Sequence, residues 1–548
     1  MNKTALGKKK NKLSLGEFVW NGFNYTTGIS FIGICGSLAN YKQGGVNQQL
    51  GLNVIWILFM EGLIAGSVAW AFAKLSRIYK SSNNGGAYIF VRGTFGKFVG
   101  ILVSFMIYVC MPFTITYQIM ILIRGSFAPQ FVGSGGWWAL HWGNFGDLYF
   151  DLIGAAIFAT SSLIIFGGIK IYKKFTMSTS FIKWGTASFL ILVAIVMACT
   201  NGQTNYALWA NGDATHRIPK LQMNSVIQCF NTCFFFFGGF EVFSTAGKNV
   251  HDSKRTVGIG VIMVMAIATI FYTLVMIIFF GAINPFNEDG GFHQNEIMSF
   301  WFVFKTFRNI KFLYWLGPAL MIINSLALKV NLSMQNSLYG GTAFHPLAVE
   351  GYFPSSLSKL NKDNIPIKAS TLNIGIVLTF IAVWLLFPDL VKGIVCSTKG
   401  IHPYPFSPTD TNYYHDAFNV GNMAQGSATI KIFIYTCVVS AILTVSVKHP
   451  EFRLKLYEEM IFAFALIFLA FLFTYHYYNL ISTAIDGFNT HDSGVIIGTL
   501  LELGFIVMSV SFCTIWYHTY YKHVYRLRYL RNPKVQITLD KEFRLINH

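Results

Sequence analysis

The chain has 548 residues, 53% of them hydrophobic and only 12% charged, and its mean hydropathy is +0.49. Soluble globular proteins carry about 25% charged residues, so this balance excludes a water-solvated fold and points to lipid as the surrounding solvent. The formal net charge of +18 invites a nucleic-acid partner. The basic residues, however, alternate with apolar runs and form no single face, which argues against nucleic acid.

The amino-terminal stretch Met1 to Ser14 is rich in lysine and enters an apolar segment without a small-residue cleavage site, so it reads as the approach to a retained first span. A helix needs about 20 apolar residues to cross a hydrocarbon core of about 30 Å. Runs of that kind fall near 16–39, 52–73, 97–123, 148–168, 177–199, 225–247, 256–282, 312–336, 369–387, 429–447, 458–481 and 493–520. Backbone polar groups in lipid must bond within their own segment, so these are helices. The expected fold is an all-α polytopic membrane protein of about 12 transmembrane helices. With the amino terminus in the cytoplasm, the inside segments hold roughly 29 Lys and Arg and the outside ones roughly 10, with two inside spans. Lys8 to Lys10, Lys170 to Lys174, Lys254-Arg255 and Arg526 to Arg528 then all lie inside, beside anionic headgroups. Both termini are expected in the cytoplasm.

Two connections stand out. Pro388 to Thr429 carries four prolines and reads as an outside insertion between spans nine and ten. Phe300 to Asn309 is aromatic and basic, fitting a short helix along the interface. The eight cysteines form no framework: all but Cys396, which falls in a polar stretch, lie in or beside apolar runs. Cys229 and Cys233 share a helix face, but no neighbouring His or carboxylate completes a metal site.

Spans one and six are interrupted. Span one reads Gly22 to Gly33 with Gly28 at its middle, and span six reads Phe234 to Glu241 with Gly238-Gly239 at its middle. Glycine within a helix costs about 1 kcal/mol relative to alanine. Close packing through small residues explains one such span. Two of them, five spans apart, match transporters built from inverted five-helix repeats, each opening on a broken helix. A break exposes N–H groups that suit a carboxylate and C=O groups that suit an ammonium. That pairing fits a zwitterion. The division is then a basic tail at 1–15, a ten-helix core at 16–447 (repeats 16–199 and 225–447, with the 388–428 insertion), helices at 458–520, and a basic tail at 521–548.

At these residues the sequence resembles the amino acid–polyamine–organocation (APC) superfamily. Gly16-Glu17-Phe18 followed by Gly28-Ile29-Ser30-Phe31-Ile32 is similar to its opening motif. Ala73 to Ser76, then Gly85 to Arg92 and Phe95-Gly96, resemble its stretch after span two. Gly239-Phe240-Glu241, Ser244-Thr245-Ala246 and Lys254-Arg255-Thr256 resemble its span-six run, and Gly351 to Pro354 with Ile365-Pro366 its stretch after span eight. Ser30 replaces a family glycine, Lys248-Asn249 replace a pair of glutamates, and Thr342 stands where an arginine is usual. The resemblance implies the LeuT-type inverted-repeat fold and an amino acid permease that needs no cofactor and no metal and has no catalytic residues. It implies that N–H groups of Ile29 and Ser30, with Gly28 giving room, bind the substrate carboxylate. Carbonyls of Thr26, Phe235 and Gly238, beside Gly239, take the α-ammonium, and the Phe235 ring covers the substrate. Cys110, Met111, Thr114, Asn324 and Ser440 are candidates for side-chain specificity.

Ionisable groups inside spans are costly and so are functional candidates. Lys183 resembles a lysine of proton-coupled members that occupies the sodium position of other relatives; snorkelling to the surface is the plainer reading. Glu241 follows the span-six break and suits proton or substrate sensing, or else a helix cap or an ion pair with Lys329. Glu61, Lys329 and Glu502 carry no assigned role. The expected partners are an amino acid, the bilayer, and protons as candidate coupling ion; the oligomeric state is open. The function expected is secondary transport of amino acids across the cytoplasmic membrane, by proton symport or exchange. The alternatives are a carrier of another small organic cation or zwitterion, and a non-transporting sensor of the same fold. A major facilitator is disfavoured by the short loop after span six, and a membrane enzyme by the lack of an HExxH or paired-carboxylate cluster.

Overall fold

The computed structural model describes residues 12–28, 31–39, 50–79, 86–120, 143–211, 221–245, 249–285, 311–400, 420–491 and 493–521. These are almost wholly helical, with one isolated backbone bridge between Leu13 and Val250. Ile29, Ser30, the 300–309 segment and the basic tails at 1–11 and 522–548 lie outside the described residues.

Ten described helices are long and apolar enough to cross a membrane. They are spans two to seven, at Asn53–Ile78, Lys97–Ile119, Leu148–Gly167, Ile169–Asn211, Met223–Phe243 and Arg255–Ala282, and spans nine to twelve, at Ile367–Lys399, Thr429–Lys448, Leu456–Thr490 and Gly498–Thr519. Span one is two short helices, Leu15–Thr26 and Phe31–Ala39. Span eight is one helix, Lys311–Val349, whose buried face carries Asn324, Asn331, Gln335 and Asn336. The pattern is that of about twelve spans.

The packing brings the two halves side by side. Span two lies along span seven, span three along span ten, and span eight along span five. Each contact pairs the second helix of one half with the second of the other, or a third helix with a fifth. Related five-helix halves produce this exchange.

Span five, expected over 177–199, is a 43-residue helix about 60 Å long. Its far end is held by span seven, where Asn205 Nδ2 donates to Gly281 O (2.7 Å) and Trp209 Nε1 to Ile283 O (2.9 Å). The insertion expected to begin at Pro388 is corrected, because helix continues to Lys399. A π-turn at Ala382–Leu386 precedes Pro388 and widens the ladder just where the proline lacks an N–H. The extension packs through Gly393 onto the Phe145 ring, and Cys396 is therefore buried in a helix and not in a polar loop.

A short helix, Ala87–Phe95, joins spans two and three. Its Arg92 Nε lies 2.6 Å from Oε1 of Glu350, just past span eight, and both side chains are buried. Burial pushes the Glu350 carboxyl above its ordinary range despite the guanidinium beside it. Removing one member of such a pair costs about 3–5 kcal/mol, because the other is left buried and uncompensated. Arg92→Met is therefore expected to lower the thermal midpoint of the detergent-solubilised protein more than Arg92→Met/Glu350→Gln does. Equal midpoints for the two variants would show that the pair is not coupled.

Candidate functional site

Span one opens with a reciprocal cap: Glu17 N–H donates to Ser14 Oγ (3.3 Å) and Ser14 N–H to Glu17 Oε2 (2.8 Å). The first half ends at Thr27, which is extended (φ −110°, ψ 148°). The last carbonyls of a helix have no partner within it, and here side chains from two other spans supply partners. Lys183 Nζ of span five is 3.0 Å from Asn24 O and 2.5 Å from Thr27 O. Tyr272 of span seven places its hydroxyl 2.9 Å from Thr26 O. Trp184 Nε1 donates to Asn24 Oδ1 (2.5 Å) and its ring stacks on Phe23 at 4.9 Å. Lys183 is fully buried and turned into the protein. It does not snorkel.

Span six breaks after Met223–Phe237. Gly238 is extended (φ −73°, ψ 158°), Gly239 takes φ +117°, and Phe240–Phe243 resumes the helix. Gly239 is needed on two counts: its φ disfavours a side chain, and a Cβ would sit 3.0 Å from the Tyr25 ring. Glu241 turns back across the break. Its Oε2 accepts the Gly239 N–H (2.8 Å) and the Tyr435 hydroxyl of span ten. A carboxylate placed so caps the start of the second half-helix. Glu241 makes no pair with Lys329, which instead donates to Gln118 Oε1 of span three.

The two breaks meet. The Tyr272 hydroxyl that reaches Thr26 O is also 3.2 Å from Phe236 O, so one group bridges both interrupted helices. The Phe31 ring of the second half of span one lies 5.9 Å from that of Phe236. Of the four phenylalanines before the glycines, Phe234, Phe236 and Phe237 are buried, and Phe235 is half-buried beneath an ammonium, that of Lys431, at 4.9 Å.

Of the carbonyls expected to take an α-ammonium, Thr26 O already accepts from Tyr272 and Phe235 O accepts the Gly238 N–H (3.3 Å). Each retains a second lone pair. Gly28 faces Leu328 of span eight, 3.0 Å from where its Cβ would be. Cys110 and Thr114 meet Ser427 on the seam of spans three and ten (3.5 and 3.4 Å), and Met111 is buried. Asn324 serves span five, donating to Lys183 O (2.5 Å) and Thr186 Oγ1 (2.9 Å). Ser440 lies more than two turns beyond Lys431 on span ten.

Sequence reasoning missed Tyr272, Tyr435 and Lys431. Ser427, Lys431 and Tyr435 recur every four residues and so share one face of span ten, a signal present in the chain. Lys431 was hidden at the edge of a span placed at 429–447, whereas the helix runs Val420–Lys448 and carries Lys431 well inside.

The remaining intramembrane ionisable groups lie elsewhere. Neither oxygen of buried Glu61 has a hydrogen-bond partner among the described residues. Cys229 and Cys233 approach to 3.6 Å, and no cluster of three metal-ligating side chains occurs among the described residues. Glu502 of span twelve meets His476 of span eleven at 2.9 Å. They line a polar cavity of about 230 Å³ with Gln228, Asn231, Thr232 and Thr429.

Two helices interrupted at mid-span, in corresponding places of two related five-helix halves, define a secondary transporter of the LeuT-type fold. Among solved structures, the crystal structure of MhsT in complex with L-phenylalanine matches with a TM-score of 0.52 at 14% identity, covering 83% of this chain and 97% of that one. No curated protein matches the sequence. The family model described as amino acid permease matches residues 21–501, and the chain belongs to that family, within the APC superfamily. It is a multi-pass membrane transporter of amino acids.

Tyr272→Phe removes the bridge between the breaks and leaves two carbonyls short of a donor, at a cost of about 1–3 kcal/mol. Substrate affinity in the purified variant is expected to fall about tenfold or more, a factor of ten corresponding to about 1.4 kcal/mol. Unchanged affinity in a binding assay would show that the bridge does not organise the site.

Proposed function

We propose that this chain carries a zwitterionic amino acid across the cytoplasmic membrane by alternating access, with both termini in the cytoplasm, and that protons drive it through Lys183. The observation that carries this reading is the Lys183 ammonium seated on the carbonyls of Asn24 and Thr27, at the end of the broken half of span one.

The substrate lies between the breaks. Its carboxylate meets the N–H groups of Ile29 and Ser30, where Gly28 leaves the backbone open, and its α-ammonium meets carbonyls of Thr26, Phe235 and Gly238. Phe235 covers it. The ammonium of Lys183 stands in for a bound cation: it neutralises carbonyl dipoles that the break has stripped of helical donors, and ties span five to span one by charge-assisted hydrogen bonds. When the proton leaves, those bonds weaken and span one is released to move against span five. Proton transfer and the orientation of the site are thereby linked. Glu241 holds the other break through Gly239 and Tyr435, so that its protonation would loosen the second half of span six. Exchange of one amino acid for another uses the same site without net proton flow, and is the second mode open to this geometry.

The test uses purified protein in proteoliposomes, with a panel of labelled amino acids, with and without an inward pH gradient or internal amino acid. Gradient-driven uptake is expected in the wild type. In Lys183→Met it should fall at least tenfold, while substrate binding changes by no more than a few fold. Uptake that ignores the gradient would remove the coupling role of Lys183, and failure to move any amino acid would remove the transport reading.

A further inference from the structure

We infer that Lys431 is a specificity-determining residue that receives a second carboxylate, so that the transported amino acid carries an acidic side chain. The inference rests on the substrate lying at the span-six break, as proposed above.

Lys431 is 5% exposed and stands well inside the helix Val420–Lys448. Its Nζ is 3.1 Å from the position a Cβ would take on Gly238, and 4.9 Å from the centre of the Phe235 ring. The ammonium thus sits against the main chain of the break and over the aromatic side chain expected to cover the substrate. It makes no hydrogen bond or ion pair with any described residue. The other buried lysines, Lys183, Lys329 and Lys392, all have partners. Lys183 is bonded to two carbonyls and Lys329 to Gln118. Among the described residues, Lys431 has only the face of the Phe235 ring.

An ammonium that is largely removed from water is stabilised by an anionic partner, and Lys183 and Lys329 each have a protein acceptor. The carboxylate that serves the same break, Glu241, is engaged by the Gly239 N–H and by Tyr435, one turn along span ten from Lys431. The break therefore presents a tethered carboxylate and an ammonium that faces the Phe235 ring and has no carboxylate within ion-pair distance among the described residues. A zwitterion's own carboxylate is already assigned to span one, so Lys431 calls for a further anionic group on the substrate. A side-chain carboxylate of aspartate or glutamate supplies it. A polyamine or a basic amino acid brings a like charge to the same spot, and a neutral side chain leaves the ammonium unpaired. The fixed positive charge thus selects by attraction and by rejection at once.

The experiment is counterflow exchange by the full-length protein in proteoliposomes, with aspartate, glutamate, asparagine, glutamine, leucine and lysine as external substrates. The acidic amino acids are expected to exchange with KM at least tenfold below those of their amides, and lysine to be excluded. Lys431→Met should raise KM for the acids at least 100-fold and reverse the preference toward the amides. Lys431→Arg should keep the acidic preference. Where the methionine variant fails to fold, Lys431→Gln is read in the same way. Wild-type exchange of amides or leucine as readily as of the acids overturns this inference alone, as does an unchanged acid-to-amide ratio in Lys431→Met. Failure of every amino acid to exchange removes the transport reading and this inference with it.

Discussion

A helix interrupted inside a membrane exposes carbonyl and N–H groups where no water is available to bond them, and each one left bare costs several kcal/mol. Spans one and six both carry this burden, at Thr27-Gly28 and at Gly238-Gly239. Much of the site can be understood as the means of meeting it. Lys183 answers the carbonyls of Asn24 and Thr27, the Tyr272 hydroxyl answers Thr26 and Phe236, and Glu241 answers the Gly239 N–H. Because these partners come from spans five and seven and from span six itself, the breaks are tied to the helices against which they must move.

The same arrangement separates two kinds of buried charge. Lys183, Lys329 and Glu241 are all committed to protein acceptors or donors, so they hold neighbouring spans together. Lys431 is bound to none of the described carboxylates, which is what motivates the proposal that it receives one from a substrate. The Arg92–Glu350 pair belongs to the first kind. It joins the connection after span two to the end of span eight. Thr342, at the position where the resemblance leads one to expect an arginine, pairs with Thr245 Oγ1 at 2.8 Å.

Some misreadings of the sequence share one cause. Pro388 read as the end of span nine, and Cys396 as a loop residue, because a proline inside a helical run ordinarily stops it. Here a π-turn at Ala382–Leu386 absorbs the missing donor, and contact with Phe145 holds the extension. Lys431, inside the span placed at 429–447, is passed over unless Ser427, Lys431 and Tyr435 are read as one face of the helix.

What the sequence determined by itself was whatever depends on neighbours in the chain: the helices, the places of the spans, the two glycine-centred breaks, and the ordered motifs of the APC superfamily. Apolar run length and the conformational cost of glycine are local quantities, and they survive without knowledge of the fold. Only the tertiary structure decided which groups answer the exposed carbonyls, since Asn24 and Lys183 are 159 residues apart and Thr26 and Tyr272 are 246 apart. The tertiary structure likewise turned Lys183 inward, made Glu241 a cap, and set Lys431 beside Gly238 and the Phe235 ring. Hydrogen bonds and unpaired charges are properties of what packs against a residue, and no pattern along a single chain records them.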